Sequence, residues 1–121
     1  MISPNVNIYT IIVTYNGMRW VDACFGSLRG STVPLHTVVV DNGSTDGTPQ
    51  RIAERFPEVH LIRSDENLGF GRGNNAGIRY ALGQGATHFF LLNQDAWIYP
   101  DTVERLLGAE DDRSGILSPV H

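Results

Sequence analysis

The chain has 121 residues, room for one domain core and little more, and its 41% hydrophobic and 18% charged residues mark it as globular. Nine basic against thirteen acidic residues leave a net charge of −4, with no basic surplus for a nucleic-acid backbone, so nucleic acid is excluded as the main partner. All nine basic residues are arginine, which excludes a P-loop lysine, a Schiff-base lysine and a lysine general base, and the single Cys24 excludes an intrachain disulfide.

No Cys/His cluster has zinc spacing, and no hydrophobic run exceeds four residues, too short to span a bilayer. The opening MISPNVN lacks the charged and apolar regions of a signal peptide, so the expected location is the cytoplasm. Val6 to Thr14, rich in β-branched residues, predicts a first strand, and Val21, Cys24, Phe25 and Leu28 follow at helical spacing. Leu35 to Asp41 predicts a second strand, nearly continuous in its apolar character, as a sheet covered on both faces requires. Thr48-Pro49 reads as an N-cap followed by proline at the first helical position, with Ile52, Ala53 and Phe56 as the helix stripe.

Val59 to Arg63 predicts a short third strand, followed by a polar, glycine-rich stretch from Ser64 to Gly73. Ile78, Ala81 and Leu82 mark a third helix that Gly83 and Gly85 stop. Thr87 to Leu92 predicts a fourth strand, and Pro100 opens a last helix with Val103, Leu106 and Leu107 inward. Gly115 to Val120 reads as the onset of another strand, which suggests part of a longer protein. Four βα units in succession predict an α/β fold: a Rossmann-like, mostly parallel sheet with helices on both faces.

In such a sheet, ligands bind beyond the carboxyl ends of the strands. Polar residues gather at all four predicted ends: Thr14 to Gly17, Asp41 to Asp46, Asp65 to Asn75, and Asn93 to Asp95. That crevice suits a polar ligand with hydrogen-bonding edges. A carboxylate or amide oxygen at Asp41 or Asn42 accepts from an N–H donor on such a ligand, although Asp-Asn-Gly-Ser is also turn sequence. Arg72 offers a planar fork of donors to an anionic or planar ligand; the plainer reading is a solvated arginine or a partner for Asp65 or Glu66. Asn74 and Asn75 read as caps of the third helix. Cys24 falls on the inner stripe of the first helix, as a buried inert thiol would. Trp97 covers a bound ligand or packs. His36, His60, His88 and His121 share no spacing.

The segments IIVTYNG, VVVDNGSTDGT, NLGFGRGNNAGI and FFLLNQDAWIYP together resemble the nucleotide-binding half of inverting glycosyltransferases of family 2, with the GT-A (nucleotide-diphospho-sugar transferase) fold. They occur in that family's order and spacing, and the last three are most similar to its rhamnosyltransferase-like branch, which builds cell-surface polysaccharides. The resemblance implies transfer from a nucleotide diphospho-sugar, dTDP- or UDP-linked, to a saccharide or lipid-linked saccharide. It implies Mg²⁺ or Mn²⁺ at Asp95, the acidic end of a DXD-type motif whose first acidic position is here Asn93, with Gln94 between. Magnesium commonly takes one or two protein carboxylates and keeps waters; the plainer reading of Asp95 is a turn residue or helix cap. The nucleotide-binding residues implied are Thr14, Tyr15, Asp41, Asn42, Arg72, Asn93 and Gln94, with the Tyr15 ring against the base or, alternatively, in the core.

The family's catalytic base follows the metal motif at a distance, so this chain is expected to be a truncated donor-binding part, residues 1–121, without the acceptor-binding half. It would have little activity alone and touch a membrane only through the missing part. None of Asp101, Glu104, Asp111 or Asp112 is assigned as base. Two other readings compete. Gly71-x-Gly73-x-x-Ala76, with Asp95 about twenty residues on, matches a dinucleotide fingerprint of NAD(P)- or flavin-dependent oxidoreductases. A non-catalytic nucleotide-sugar-binding module shares every motif.

Overall fold

The computed structural model describes residues 5–109 and 116–117. Its centre is β1 (Ile8–Thr14), where β-branched residues fill a strand almost entirely buried. Beside it lie β2 (His36–Asp41) and then β3 (His60–Arg63) on one side, and β4 (His88–Leu91) and then β5 (Ile116–Leu117) on the other. The order is β3-β2-β1-β4-β5, and every pairing is parallel. Order reverses across β1, with β2 on one flank and β4 on the other, so the carboxyl ends of these three strands form the switch-point crevice.

The two faces of the sheet are covered unequally. Ile8, Ile12, Val39, Phe90 and Leu117 point to one face. There they pack on Val21, Cys24, Phe25 and Leu28 of α1 (Val21–Arg29), Ile52 of α2 (Thr48–Arg55) and Val103 of α4 (Thr102–Gly108). Tyr9, Ile11 and Val38 point to the other face, which α3 (Phe70–Gly83) covers with Ala81 buried against them. Helices on both faces and a parallel sheet are as the sequence predicts. β5 lies within the strand expected from Gly115 to Val120; the rest of that segment, like Asp111, Asp112 and His121, lies outside the described residues.

The structure moves several boundaries. A 3₁₀ turn, Met18–Trp20, precedes α1. Thr48 is not the N-cap of α2 but its first residue; Gly47, at φ +89°, holds the cap position. The last helix begins at Thr102, two residues past Pro100, because Asp101 takes its cap. Leu82, expected on the inner stripe of α3, is exposed.

The largest shift is at α3, which starts at Phe70, so Gly71, Arg72 and Gly73 are helical rather than loop. Tertiary contact outweighs glycine's poor helix propensity here. A Cβ on Gly77 would lie 2.6 Å from Ile11 Cγ2, and one on Gly73 3.0 Å from Val13 Cγ2. The absent side chains let α3 lie directly on β1, which brings its N-terminus to the crevice.

Candidate functional site

The floor of the crevice is polar but internally satisfied. Thr14 and Asp41 are register partners at the ends of β1 and β2, and both are buried. Thr14 Oγ1 donates to Asp41 Oδ1 at 2.7 Å, Ser44 Oγ donates to the same oxygen at 2.7 Å, and the Ser44 N–H reaches Oδ2 at 2.9 Å. A buried carboxylate is tolerated only with such donors. Asn42, equally buried, spends its amide on the glycine-rich loop: Oδ1 accepts from Leu68 N at 3.3 Å and Nδ2 donates to Gly69 O at 3.2 Å.

The loops after β1 and β2 are joined to each other. Asn16 N donates to Ser44 Oγ (2.8 Å), Thr45 N to Asn16 Oδ1 (2.8 Å), Gly17 N to Thr48 Oγ1 (3.0 Å) and Met18 N to Asp46 Oδ2 (3.1 Å). Asn16 has φ +46°, a left-handed conformation that asparagine tolerates better than most residues. Asp46 feels some burial, which raises its pKa, but the Thr48 hydroxyl and the Met18 and Thr48 backbone N–H groups outweigh it and hold the carboxyl below its usual value. The chain turns sharply after Tyr15, and the Tyr15 side chain stays 45% exposed on the rim rather than in the core.

Arg72 lies exposed in the first turn of α3 and makes no ion pair with Asp65 or Glu66 among the described residues. Neither asparagine caps that helix: Gly69 holds the cap position, and Asn74 is buried in the helix itself. The dinucleotide reading is overturned by the same geometry. Its fingerprint should turn straight out of a strand, yet the loop 64–69 separates β3 from α3, and Gly71 is already helical with nothing near its Cβ position.

At the end of β4 the chain makes a turn closed by Ala96 N to Asn93 O at 3.0 Å. Gln94 reaches across to β1: its Oε1 accepts from Tyr15 N at 3.0 Å and its Nε2 donates to Tyr15 O at 3.1 Å. Asn93 and Asp95 flank it, both exposed, and Asp95 makes no hydrogen bond or ion pair among the described residues. Asp95 is thus a turn residue but not a helix cap, since Asp101 precedes α4. Its charge is felt below: burial pushes the Cys24 thiol up to about 12, and Asp95 adds to the shift, so this thiol is inert.

Past Asp95 the loop is pinned by Ile98. That side chain is buried, and its N–H donates to Ser27 Oγ at 3.1 Å. Trp97 and Tyr99, on either side, are 57% and 65% exposed and meet edge to face at 5.0 Å. Trp97 therefore does not pack in the core. Glu104 accepts from Thr32 Oγ1 at 2.6 Å, and Asp101 lies 3.9 Å from Arg105. His36, His60 and His88 each begin a strand, at the end of the sheet away from the crevice.

The structure thus brings Thr14, Tyr15, Asp41, Asn42, Gln94 and Asp95 to adjoining strand ends, with Arg72 on the helix opening beside Asn42. The sequence places Asn16, Gly17, Ser44 and Asp46 at strand ends and Thr48 at a helix start; that they join the two loops is seen in the structure. Their signal was the pairing of Tyr-Asn-Gly after one strand with Asp-Asn-Gly-Ser-Thr-Asp-Gly-Thr after the next.

A parallel sheet of this order with a polar rim at its carboxyl ends is a Rossmann-like fold, and its likeness to solved glycosyltransferases makes it the GT-A type of nucleotide-diphospho-sugar transferases. The mannosyltransferase PcManGT of Pyrobaculum calidifontis, solved in complex with GDP-Man and Mn²⁺, superimposes with a TM-score of 0.69 at 27% identity, over 84% of this chain and 31% of its own. Glycosyl transferase family 2 matches residues 9–119, and the chain belongs to that family. The dTDP-rhamnosyl transferase RfbF of Shigella flexneri is 33% identical over 96% of this chain and 39% of its own length. An N-acetylglucosaminyl-diphospho-decaprenol L-rhamnosyltransferase of Mycobacterium tuberculosis is 33% identical over 91% and 39%. The chain spans about two fifths of the length of these relatives. Among the described residues no helix is long and apolar enough to cross a membrane.

Proposed function

We propose that residues 1–121 are the donor-binding part of an inverting glycosyltransferase that takes a nucleotide diphospho-sugar, dTDP- or UDP-linked, and serves cell-surface polysaccharide synthesis from the cytoplasmic side. The observation that carries this reading is the free carboxylate of Asp95 on the same rim as the exposed ring of Tyr15, above a floor whose polar groups are already paired. An exposed aromatic ring suits the flat face of a base. In this reading Tyr15 lies against the base, Asp41 and Asn42 border it, and Thr14 acts by holding Asp41. Arg72 supplies the fork of donors that a lysine-free chain needs for a diphosphate.

A divalent cation fits the donor set. Among the described residues there is no group of three or more His, Cys, Asp or Glu side chains to cage one. One carboxylate without a partner among the described residues, Asp95, two positions from the exposed Asn93, is a donor set that Mg²⁺ or Mn²⁺ uses when phosphate oxygens and waters complete its shell. Bound there, the cation would neutralise charge on the departing diphosphate. The acceptor, a saccharide or lipid-linked saccharide, attacks the anomeric carbon from the opposite face and loses its hydroxyl proton to a carboxylate base. Glu104 and Asp101 are not assigned to this role, being bound to Thr32 and placed against Arg105. In this reading the base belongs to the acceptor-binding half.

Calorimetry with UDP, dTDP and GDP, each with and without Mn²⁺, tests the reading. Binding of at least one, strengthened by Mn²⁺, is expected. Binding of none, or tighter binding of NAD, overturns it. Asp95→Ala should abolish the strengthening by Mn²⁺, and an unchanged Mn²⁺ effect removes Asp95 from the site.

A further inference from the structure

We infer that Gln94 is a positioning residue that fixes the base-side and metal-side halves of the site to each other; the inference rests on the donor-binding reading above. The regular β1–β4 ladder ends with Leu92 N donating to Ile11 O at 3.1 Å. Beyond that rung β1 continues through Ile12, Val13 and Thr14 while the other chain turns away. Tyr15 then stands where the chain leaves β1, just before the left-handed Asn16. One primary amide satisfies both of its backbone groups: Gln94 Oε1 takes the N–H and Gln94 Nε2 serves the carbonyl. The pair adds a rung past the end of the sheet, made of a side chain in place of a strand.

The space for this rung comes from Gly17. A Cβ there would overlap Gln94 Oε1 and lie 2.8 Å from Gln94 Cδ. No side chain fits at residue 17 while Gln94 holds Tyr15. Two residues far apart in the chain therefore form one device.

Its placement gives it a consequence for ligand binding. Tyr15 carries the ring proposed for the base, and Asp95, the next residue after Gln94, carries the carboxylate proposed for the metal. With the amide in place, the separation of Tyr15 and Asp95 is already set when a nucleotide arrives. Without it, that separation must be fixed on binding, at an entropic cost. Each terminal atom of Gln94 makes one hydrogen bond to Tyr15, and the contribution assigned to it here is the one that runs through Tyr15.

Two measurements on Gln94→Ala, Gly17→Ala and the double variant test this. The first needs no ligand: hydrogen exchange at the Tyr15 N–H should accelerate in Gln94→Ala and in Gly17→Ala. The second is the factor by which Mn²⁺ strengthens binding of whichever nucleoside diphosphate binds. That factor should fall about tenfold in each single variant, and the double variant should match Gln94→Ala, because the overlap disappears with the side chain. Folding is followed by urea unfolding in parallel. A purely structural loss would lower binding with and without Mn²⁺ alike. Unchanged Tyr15 exchange, an unchanged Mn²⁺ factor, or effects of Gly17→Ala and Gln94→Ala that multiply would overturn the inference. Failure of the unaltered protein to bind any nucleoside diphosphate, with Tyr15 exchange responding as expected, would count against the donor-binding reading and leave the rung standing.

Discussion

Thr14 and Asp41, register partners at the last rung of the β1–β2 pair, share a hydrogen bond of 2.7 Å with almost no exposure to solvent. The strand ends meet over this bond, and the loop that carries Ser44 folds back onto the same carboxylate. Replacing Thr14 with valine keeps the shape and removes one donor from a buried charged acceptor. Stability should fall by about 2 kcal/mol, measured by urea unfolding. Loss of less than a few tenths would mean that Asp41 is supported by its Ser44 contacts alone.

Asp46 sets a pH dependence for the loops. Its folded carboxyl lies below the usual 3.8, held there by Thr48 and Met18 against the opposing effect of burial. A depressed folded pKa means the stabilisation is complete above the unfolded value and is lost as pH falls through the folded one. Amide exchange at Met18 and Thr48 should therefore rise as pH drops below about 4, once corrected for intrinsic rates. Asp46→Asn should show that loosening at neutral pH. If exchange there follows only the intrinsic rates, the carboxylate does not hold the loops.

How far the fold was legible can be read from α3. Helices on both faces and the strand ends followed from apolar runs and turn residues, which are local signals. The start of α3 was missed because Gly71 and Gly73 argue locally for a loop. What makes them helical is the close approach of Gly73 and Gly77 to Val13 and Ile11, some sixty residues away. Likewise Asp95 was legible at a strand end, whereas the sequence left Tyr15 open between the rim and the core, and the structure places its ring on the rim. That Gln94 binds the backbone of Tyr15, and that Gly17 makes space for it, depends on which strands become neighbours.

The same helix gives a pair of substitutions with opposite signs. Glycine to alanine inside a helix ordinarily stabilises by about 1 kcal/mol. Gly71→Ala should do so, since nothing lies within 4 Å of its Cβ position. Gly77→Ala should instead destabilise by about 2 kcal/mol, because its methyl group meets Ile11 Cγ2 and would lift α3 off β1. Equal responses in thermal unfolding would show that α3 does not sit on β1 at this distance.

Thr10 offers a stabilising change. It is wholly buried in β1, and its hydroxyl oxygen has no hydrogen-bond partner among the described residues. Thr10→Val preserves the β-branched shape and removes the unpaired group, so the free energy of unfolding should rise by about 1 kcal/mol, or about 4 °C in Tm. A lower Tm would mean that the hydroxyl is paired in solution.

Trp97 provides a direct optical test of where the sugar lies. Its ring is 57% exposed and fixed beside Asp95 by the buried Ile98 and the edge contact with Tyr99. If the donor sugar is covered by this ring, a nucleotide diphospho-sugar should shift its emission to the blue while the matching nucleoside diphosphate leaves it nearly unchanged. Trp20→Phe isolates the signal, because Trp97 is then the only tryptophan. Trp97→Ala should weaken the sugar nucleotide about fivefold and the nucleoside diphosphate hardly at all, the loss of one aromatic contact. Equal weakening of both ligands would place the ring against the nucleotide, and no weakening of either would place it outside the donor site.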